Sequence, residues 1–247
     1  MGRLLQEGRR QLLLKKLTAE ALGTALLLAA VVGSGIMGEA LARPNVALAL
    51  LANTVATGAA LVALIITFGP ISGAHFNPVV TLADASQGGV PWREVPAYLA
   101  AQVTGAFLGV AVAHVMFKQP ALFFASQHRR DGIAQLVSEF VATFGLLAVI
   151  WGSARRRPGL VPFAVGAYIT AAYWFTASTS FANPAVTLAR AASDTFAGIR
   201  PTDAPAFIGA QLAGGAAATA LFRWLVPALP SVAARVVDRP ASDEELS

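Results

Sequence analysis

The stretch Thr179-Ser-Phe-Ala-Asn-Pro-Ala-Val-Thr-Leu-Ala-Arg190 nearly repeats an earlier one, Gly73-Ala-His-Phe-Asn-Pro-Val-Val-Thr-Leu-Ala-Asp84. Asparagine is a favoured helix N-cap, and proline suits the first helical position because the N–H it lacks is not needed there. Asn77-Pro78 and Asn183-Pro184 therefore each predict a helix start. The segments that follow, to about Ser86 and about Ala192, are too short to cross a bilayer. Gly, Ser and Thr suited to irregular backbone precede them. One Asn-Pro usually marks a turn, but two copies in matched surroundings within uncharged sequence ask for another reason.

The uncharged surroundings are extensive. No Asp, Glu, Lys or Arg interrupts Pro44–Ala83 or Pro158–Ala189, and Ala21–Gly38, Val95–Phe117 and Ala204–Phe222 are further such runs. Only 13% of the 247 residues are charged and 56% are hydrophobic, about half the charged share of a soluble domain. The composition predicts an all-α membrane protein. A net charge of +5 suggests no nucleic-acid partner, because the basic residues fall between the apolar runs, where topology explains them. Without cysteine, and with His75, His114 and His128 far apart, no metal-ligand spacing is present. No catalytic constellation and no cofactor motif are expected.

Other landmarks repeat in the same order. Leu17-Thr-Ala-Glu20 resembles Leu136-Val-Ser-Glu139, and Pro96 to Gly105 resembles Pro205 to Gly214. Each half predicts three spanning helices and one short element, the spans lying near 17–38, 46–68, 94–117, 132–152, 159–177 and 203–226. Three is odd, so the second half enters the membrane from the opposite side, which makes the repeats inverted. The expected division is a segment 1–16, repeat A over 17–117, a connecting loop 118–131, repeat B over 132–226, and a polar tail 227–247.

Lys and Arg set the orientation. Arg3, Arg9, Arg10, Lys15, Lys16, Arg93, Arg155, Arg156, Arg157, Arg223, Arg235 and Arg239 share one side. Arg43, Lys118, Arg129, Arg130, Arg190 and Arg200 share the other. Twelve against six places both termini in the cytoplasm, with the loop 118–131 outside. Non-helical backbone at membrane depth is tolerated only where it lines a cavity. The two Asn-Pro segments thus predict re-entrant half-helices whose positive N-terminal ends meet near the midplane. Such a centre opposes cations and offers donors to a neutral solute.

At these residues the chain resembles the aquaporin, or major intrinsic protein, family: Ser72-Gly-Ala-His-Phe-Asn77-Pro78 followed by Val-Thr-Leu-Ala looks like its first signature, and Glu20 and Glu139 fall where its repeat glutamates belong. The resemblance spans about residues 17–226. It implies six transmembrane helices plus two half-helices, and a homotetramer in the lipid bilayer with one pore per subunit. It also implies passive passage of water and small neutral solutes, and a bacterial inner-membrane location. The pore centre it implies is Asn77, Pro78, Val79, Asn183, Pro184 and Ala185.

Two positions depart from the family pattern. Val79 stands where the first motif has alanine, and Val186 where the second continues with arginine. That arginine belongs to an outer filter, whose other positions carry over to Thr57, Ser180 and a fifth-helix residue. Spacing from Asn183 gives Ala171 for the last; aligning Gly166 shifts it towards Tyr173, otherwise a vestibule residue. A filter of Thr57, Ala171, Ser180 and Val186 is wide and uncharged. With Val186 the motif resembles bacterial members associated with arsenic detoxification, which implies arsenite or a glycerol-like polyol as solute. A water-selective channel, narrowed by Tyr173 or Trp174, is the alternative, and an ion-coupled transporter with inverted repeats is another.

Four further residues stay open. Arg190 either lines the pore mouth or pairs with Asp194 or a loop carbonyl. His75 packs beside the re-entrant loop or lines the inner vestibule. Glu20 and Glu139 either hold loop backbone or carry protons; their symmetry favours the structural role.

Overall fold

The computed structural model describes residues 2–154 and 157–226. Arg155, Arg156, Arg235, Arg239 and the polar tail 227–247 lie outside the described residues. Eight α-helices are described: α1 Gly2–Ala42, α2 Val46–Ser72, α3 Pro78–Ser86, α4 Val95–Met116, α5 Ile133–Ala154, α6 Val161–Phe175, α7 Pro184–Arg190 and α8 Ala204–Leu225, with a 3-10 turn at Pro158–Leu160 before α6.

Most boundaries fall within two residues of the expected ones; α1 does not. It begins at Gly2 rather than near residue 17 and runs for 41 residues, about 62 Å, twice the hydrocarbon thickness. The Leu, Gln, Glu, Arg and Lys residues of its first turns are good helix formers, and no proline interrupts them. The segment 1–16 is thus, from Gly2, an extension of the first helix.

Five helices, α1, α2, α4, α5 and α8, are long and apolar enough to cross a membrane. The sixth expected span, α6, has 15 residues, about 22 Å. The 3-10 turn before it adds about 6 Å, so the pair together approaches the thickness of a hydrocarbon core.

Packing follows the repeat. Helix α1 lies along α4 and α2, as α5 lies along α8 and α6; α2 meets α6 between the halves. Half-helix α3 packs on α4 and α8, and α7 on α8 and α4. Each pair has its counterpart, as an internal two-fold demands. Glycine permits the closest approaches: a Cβ on Gly105 would lie 2.2 Å from Ala21 O, and one on Gly214 2.4 Å from Phe140 O. These are equivalent contacts in the two halves, α4 on α1 and α8 on α5, and only a residue without a side chain allows them.

Candidate functional site

Each half-helix begins as its sequence predicts. Asn77 and Asn183 have extended backbones and cap their helices: Oδ1 of Asn77 accepts from Val79 N at 2.9 Å, and Oδ1 of Asn183 accepts from Ala185 N at 3.0 Å and Val186 N at 3.2 Å. Their Nδ2 atoms cross between the repeats. Asn77 Nδ2 donates to Ala182 O at 2.7 Å, and Asn183 Nδ2 donates to Phe76 O at 2.8 Å. The two helix starts are thereby stitched together. An amide nitrogen carries two protons, so each keeps one N–H beyond its bond across the repeats, and both asparagines line the cavity.

The backbone before each asparagine is strained. Ala74 and Phe76 have φ of 49° and 50°, and Thr179, Ser180 and Ala182 have 61°, 51° and 48°. Such conformations cost L-residues free energy and persist only where the surroundings over-determine them. The glutamates supply that constraint. Glu20 Oε1 accepts from Ser72 Oγ at 2.7 Å and His75 N at 2.9 Å, while Oε2 accepts from Phe76 N at 2.7 Å and Gln102 Nε2 at 2.8 Å. Glu139 accepts from Phe181 N and Ala182 N, both at 2.9 Å, and from Gln211 Nε2 at 2.5 Å. Gln102 and Gln211 also donate to Thr81 Oγ1 and Thr187 Oγ1, tying each half-helix to the same carboxylate.

A narrow cavity of about 100 Å³ runs past these groups. One wall carries His75, Phe76, Asn77, Ser180, Phe181, Ala182 and Asn183, and the opposing helices contribute mostly apolar side chains. Those apolar residues escaped the sequence reading, although a signal existed. Leu27 and Val31 on α1 and Leu146 and Ile150 on α5 lie on the same stripe as their glutamate. Thr57, Leu61 and Ile65 on α2, and Val161, Val165, Ile169 and Tyr173 on α6, recur every four residues, one face of a helix. Trp151, fully buried beside them, donates to Thr219 Oγ1 at 3.3 Å.

Several expected site residues do not reach the cavity. Pro78, Val79, Pro184 and Ala185 face other helices, because each step along a helix turns by about 100° and the lining positions after Asn are Val80 with Asp84, and Val186 with Arg190. Val79 lies against α8, where a Cβ on Gly215 would come within 2.2 Å of Val79 Cγ1. Ala171 is exposed on the outer face of α6. Tyr173, the other fifth-helix position the sequence left open, is buried, lines the cavity and donates to Thr57 Oγ1 at 3.3 Å. Trp174 faces away and is half exposed.

Thr57, Tyr173, Ser180 and Val186 all line the cavity, and Val186 lies on α7, whose far end leads into the loop bonded to residues 124–128. Arg190 lies there too and satisfies both of its readings. It lines the cavity, and its Nε donates to Ala197 O. Asp194 instead accepts from Gln127 N at 2.8 Å. At the other end His75 lines the cavity with Nδ1 3.1 Å from Thr81 Oγ1, and its Nε2 is 4.0 Å from Asp84 Oδ2. Among the described residues no cluster suited to a metal ion occurs.

The loops beyond α7 pack together at the Arg190 end. Phe124 N and Ser126 N donate to Ala192 O and Ala191 O, and Arg200 N donates to His128 O at 2.7 Å. Burial, then the nearby Arg130 and Arg190, holds His128 below the ordinary imidazole value. Burial works against the charge of Asp203, but hydrogen bonds from Arg200 and from Arg130 N leave it below the ordinary carboxylate range.

Comparison with known proteins agrees with this architecture. Residues 7–180 match the sequence profile described as major intrinsic protein. The chain is 57% identical over 221 residues to aquaglyceroporin AqpS of Rhizobium meliloti (strain 1021), covering 89% of this chain and 94% of that one. It is 36% identical over 184 residues to aquaporin NIP1-3 of Oryza sativa subsp. japonica, covering 70% of this chain and 62% of the relative. In fold it is similar to the aquaglyceroporin from Plasmodium falciparum, with a TM-score of 0.65 at 20% identity over 88% of this chain and 98% of that one. This chain belongs to the major intrinsic protein family.

Proposed function

We propose that the chain is a passive channel for small uncharged solutes, glycerol-like polyols or metalloid hydroxides such as arsenite, together with water. The observation that carries this reading is the cavity itself. It is small, is lined mostly by apolar side chains, and carries both Asn77 and Asn183, whose amides are paired across the repeats. A neutral hydroxylated solute can exchange hydrogen bonds with water for donors on one wall and pack its carbons on the other. Val186 in place of a charged side chain favours solutes larger than water. The similarity to AqpS, named an aquaglyceroporin, supports the same class.

Both glutamates are spent on backbone amides, which argues for structural roles and against ion-coupled transport. Asn77, Asn183, Thr57, Tyr173, Ser180 and Val186 are the residues we assign to selection, with His75 and Asp84 at the inner mouth. The excess of Lys and Arg on one side supports a cytoplasmic position for both termini, and the similarity to a bacterial relative supports a bacterial membrane, with residues 17–117 and 132–226 as the repeats. The family resemblance supports a homotetramer with one pore per subunit.

The bond from Tyr173 to Thr57 favours a second reading, a mainly water-selective channel, because it brings an aromatic side chain to the filter. Stopped-flow light scattering on proteoliposomes separates the two. Glycerol and arsenite permeation by the unmodified protein, closed by Val186→Arg, supports the solute channel; water permeation alone supports the second reading.

A further inference from the structure

Val186 leaves the narrow part of the cavity without a fixed charge, yet two guanidinium groups gather just beyond it. Arg190 stands one turn further along α7, where helical side chains lean back towards the N-terminus. It is 2% exposed and lines the cavity. Its Cζ lies 3.3 Å from the centroid of the Phe181 ring. Arg130 reaches the same ring from the loop between the repeats, with Cζ 5.0 Å from the centroid. Its Nε donates to Gly198 O at 2.8 Å, and its Nη1 donates to Ser178 O at 3.1 Å and lies 3.5 Å from Thr179 Oγ1.

Neither group forms a direct ion pair among the described residues, and the buried Glu139 is the acid whose charge acts on both. The acids on this side are engaged elsewhere. Asp203 accepts from Arg200 and from Arg130 N, and Asp131 from Arg129 and Arg200. Asp194 accepts from Gln127 N, and Glu139 from the Phe181 and Ala182 amides and Gln211. Both arginines bond through their side chains to neutral oxygens, so two guanidinium charges stand against the single carboxylate of Glu139 and the site stays net positive. Burial lowers Arg130 to about 10, which leaves it protonated at neutral pH. Unpaired buried charge is costly, and an ionisable group at membrane depth points to function. At the opposite mouth the equivalent residue of the other repeat is an acid, Asp84, rather than a base.

We propose that Arg190 and Arg130, gathered on the ring of Phe181, form the cation barrier of this channel, displaced one turn outward from the size filter at Thr57, Tyr173, Ser180 and Val186. Size and charge are thereby selected at separate levels. Larger neutral solutes pass the uncharged narrow part, while hydronium and alkali cations are repelled before reaching it. This rests on the reading of the cavity as a solute channel.

The test uses the full chain in proteoliposomes, with glycerol flux and proton and sodium leak under a potassium diffusion potential measured on the same vesicles. The double variant Arg190→Gln/Arg130→Gln should keep glycerol flux and raise cation leak about tenfold. Arg190→Lys, which keeps the charge, should stay tight. V186R/R190Q, which moves the charge inward, should also stay tight but lose glycerol flux. A double variant that conducts glycerol and remains tight overturns the proposal and leaves exclusion to the asparagines and helix ends. If Arg190→Gln does not fold, Arg130→Gln decides: a measurable leak supports the barrier and a tight vesicle overturns it. Absence of glycerol flux in the unmodified protein defeats the channel reading instead.

Discussion

Tyr173 on α6 donates its hydroxyl to Thr57 on α2 at 3.3 Å, joining the two halves of the chain along the cavity wall. The ring therefore takes up space that a small residue would leave open. Tyr173→Ala should raise glycerol permeability several-fold over the unmodified channel. Tyr173→Phe, which keeps the ring and loses a bond worth about 1 kcal/mol, should change permeability little. Stopped-flow permeability to glycerol and water checks both; an unchanged Tyr173→Ala profile would show that the ring does not limit passage.

Glu139→Gln should destabilise without changing the kind of transport. The carboxylate accepts three hydrogen bonds, and a glutamine leaves an NH2 facing donors. A loss of about 3 kcal/mol is expected, read as a lowered unfolding temperature in detergent. The protein that does fold should still give flux linear in solute gradient. Saturable, proton-dependent flux abolished by this change would identify a transporter.

Val79 and Gly215 should be energetically coupled. A Cβ on Gly215 would lie 2.2 Å from Val79 Cγ1, so Gly215→Ala alone overpacks the α3–α8 contact and costs about 1–3 kcal/mol. Val79→Ala makes room, and the double variant should recover more than about 1 kcal/mol of that cost. Because Val79 faces α8, Val79→Ala alone should leave glycerol flux unchanged. A change in flux would place this side chain in the solute path.

Acid should weaken the loop that closes the Arg190 end. His128 is held below the ordinary imidazole value by burial and then by Arg130 and Arg190. Above about pH 6.5 it is neutral whether the chain is folded or not, and contributes no pH dependence. As pH falls below that value the unfolded chain binds the proton more readily, so native stability declines. Unfolding temperatures from about pH 7.5 to about pH 5 should fall less steeply in His128→Asn. Equal slopes would remove His128 as a cause.

Much of the fold was legible because its signals are local. Asn-Pro specifies a helix start whatever surrounds it, and α3 runs Pro78–Ser86 as read from the sequence. The apolar runs located α4, α5 and α8 within two residues. The long extension of α1 was not legible in the same way, because charge marks a membrane boundary rather than a helix end. The lining of the cavity was legible in part. Asn77, Asn183, Thr57, Ser180, Val186 and Arg190 reach it, whereas Ala171 and Val79 do not, since counting back from a motif fixes a position along a helix without fixing which way it faces.

The sequence by itself determined the duplication, the two half-helix starts, the apolar spans and the symmetric glutamates, all of which depend on residue type and spacing along the chain. Tertiary structure alone decided that Glu20 and Glu139 spend their oxygens on the backbone before each asparagine, that each asparagine donates across to the other repeat, and that Val79 meets Gly215. It also decided that Tyr173 rather than Ala171 turns to the cavity, and that Arg130, distant in sequence, joins Arg190 on one aromatic ring. Those facts depend on how helices rotate and cross when packed, a property of pairs of elements that no single stretch of chain contains.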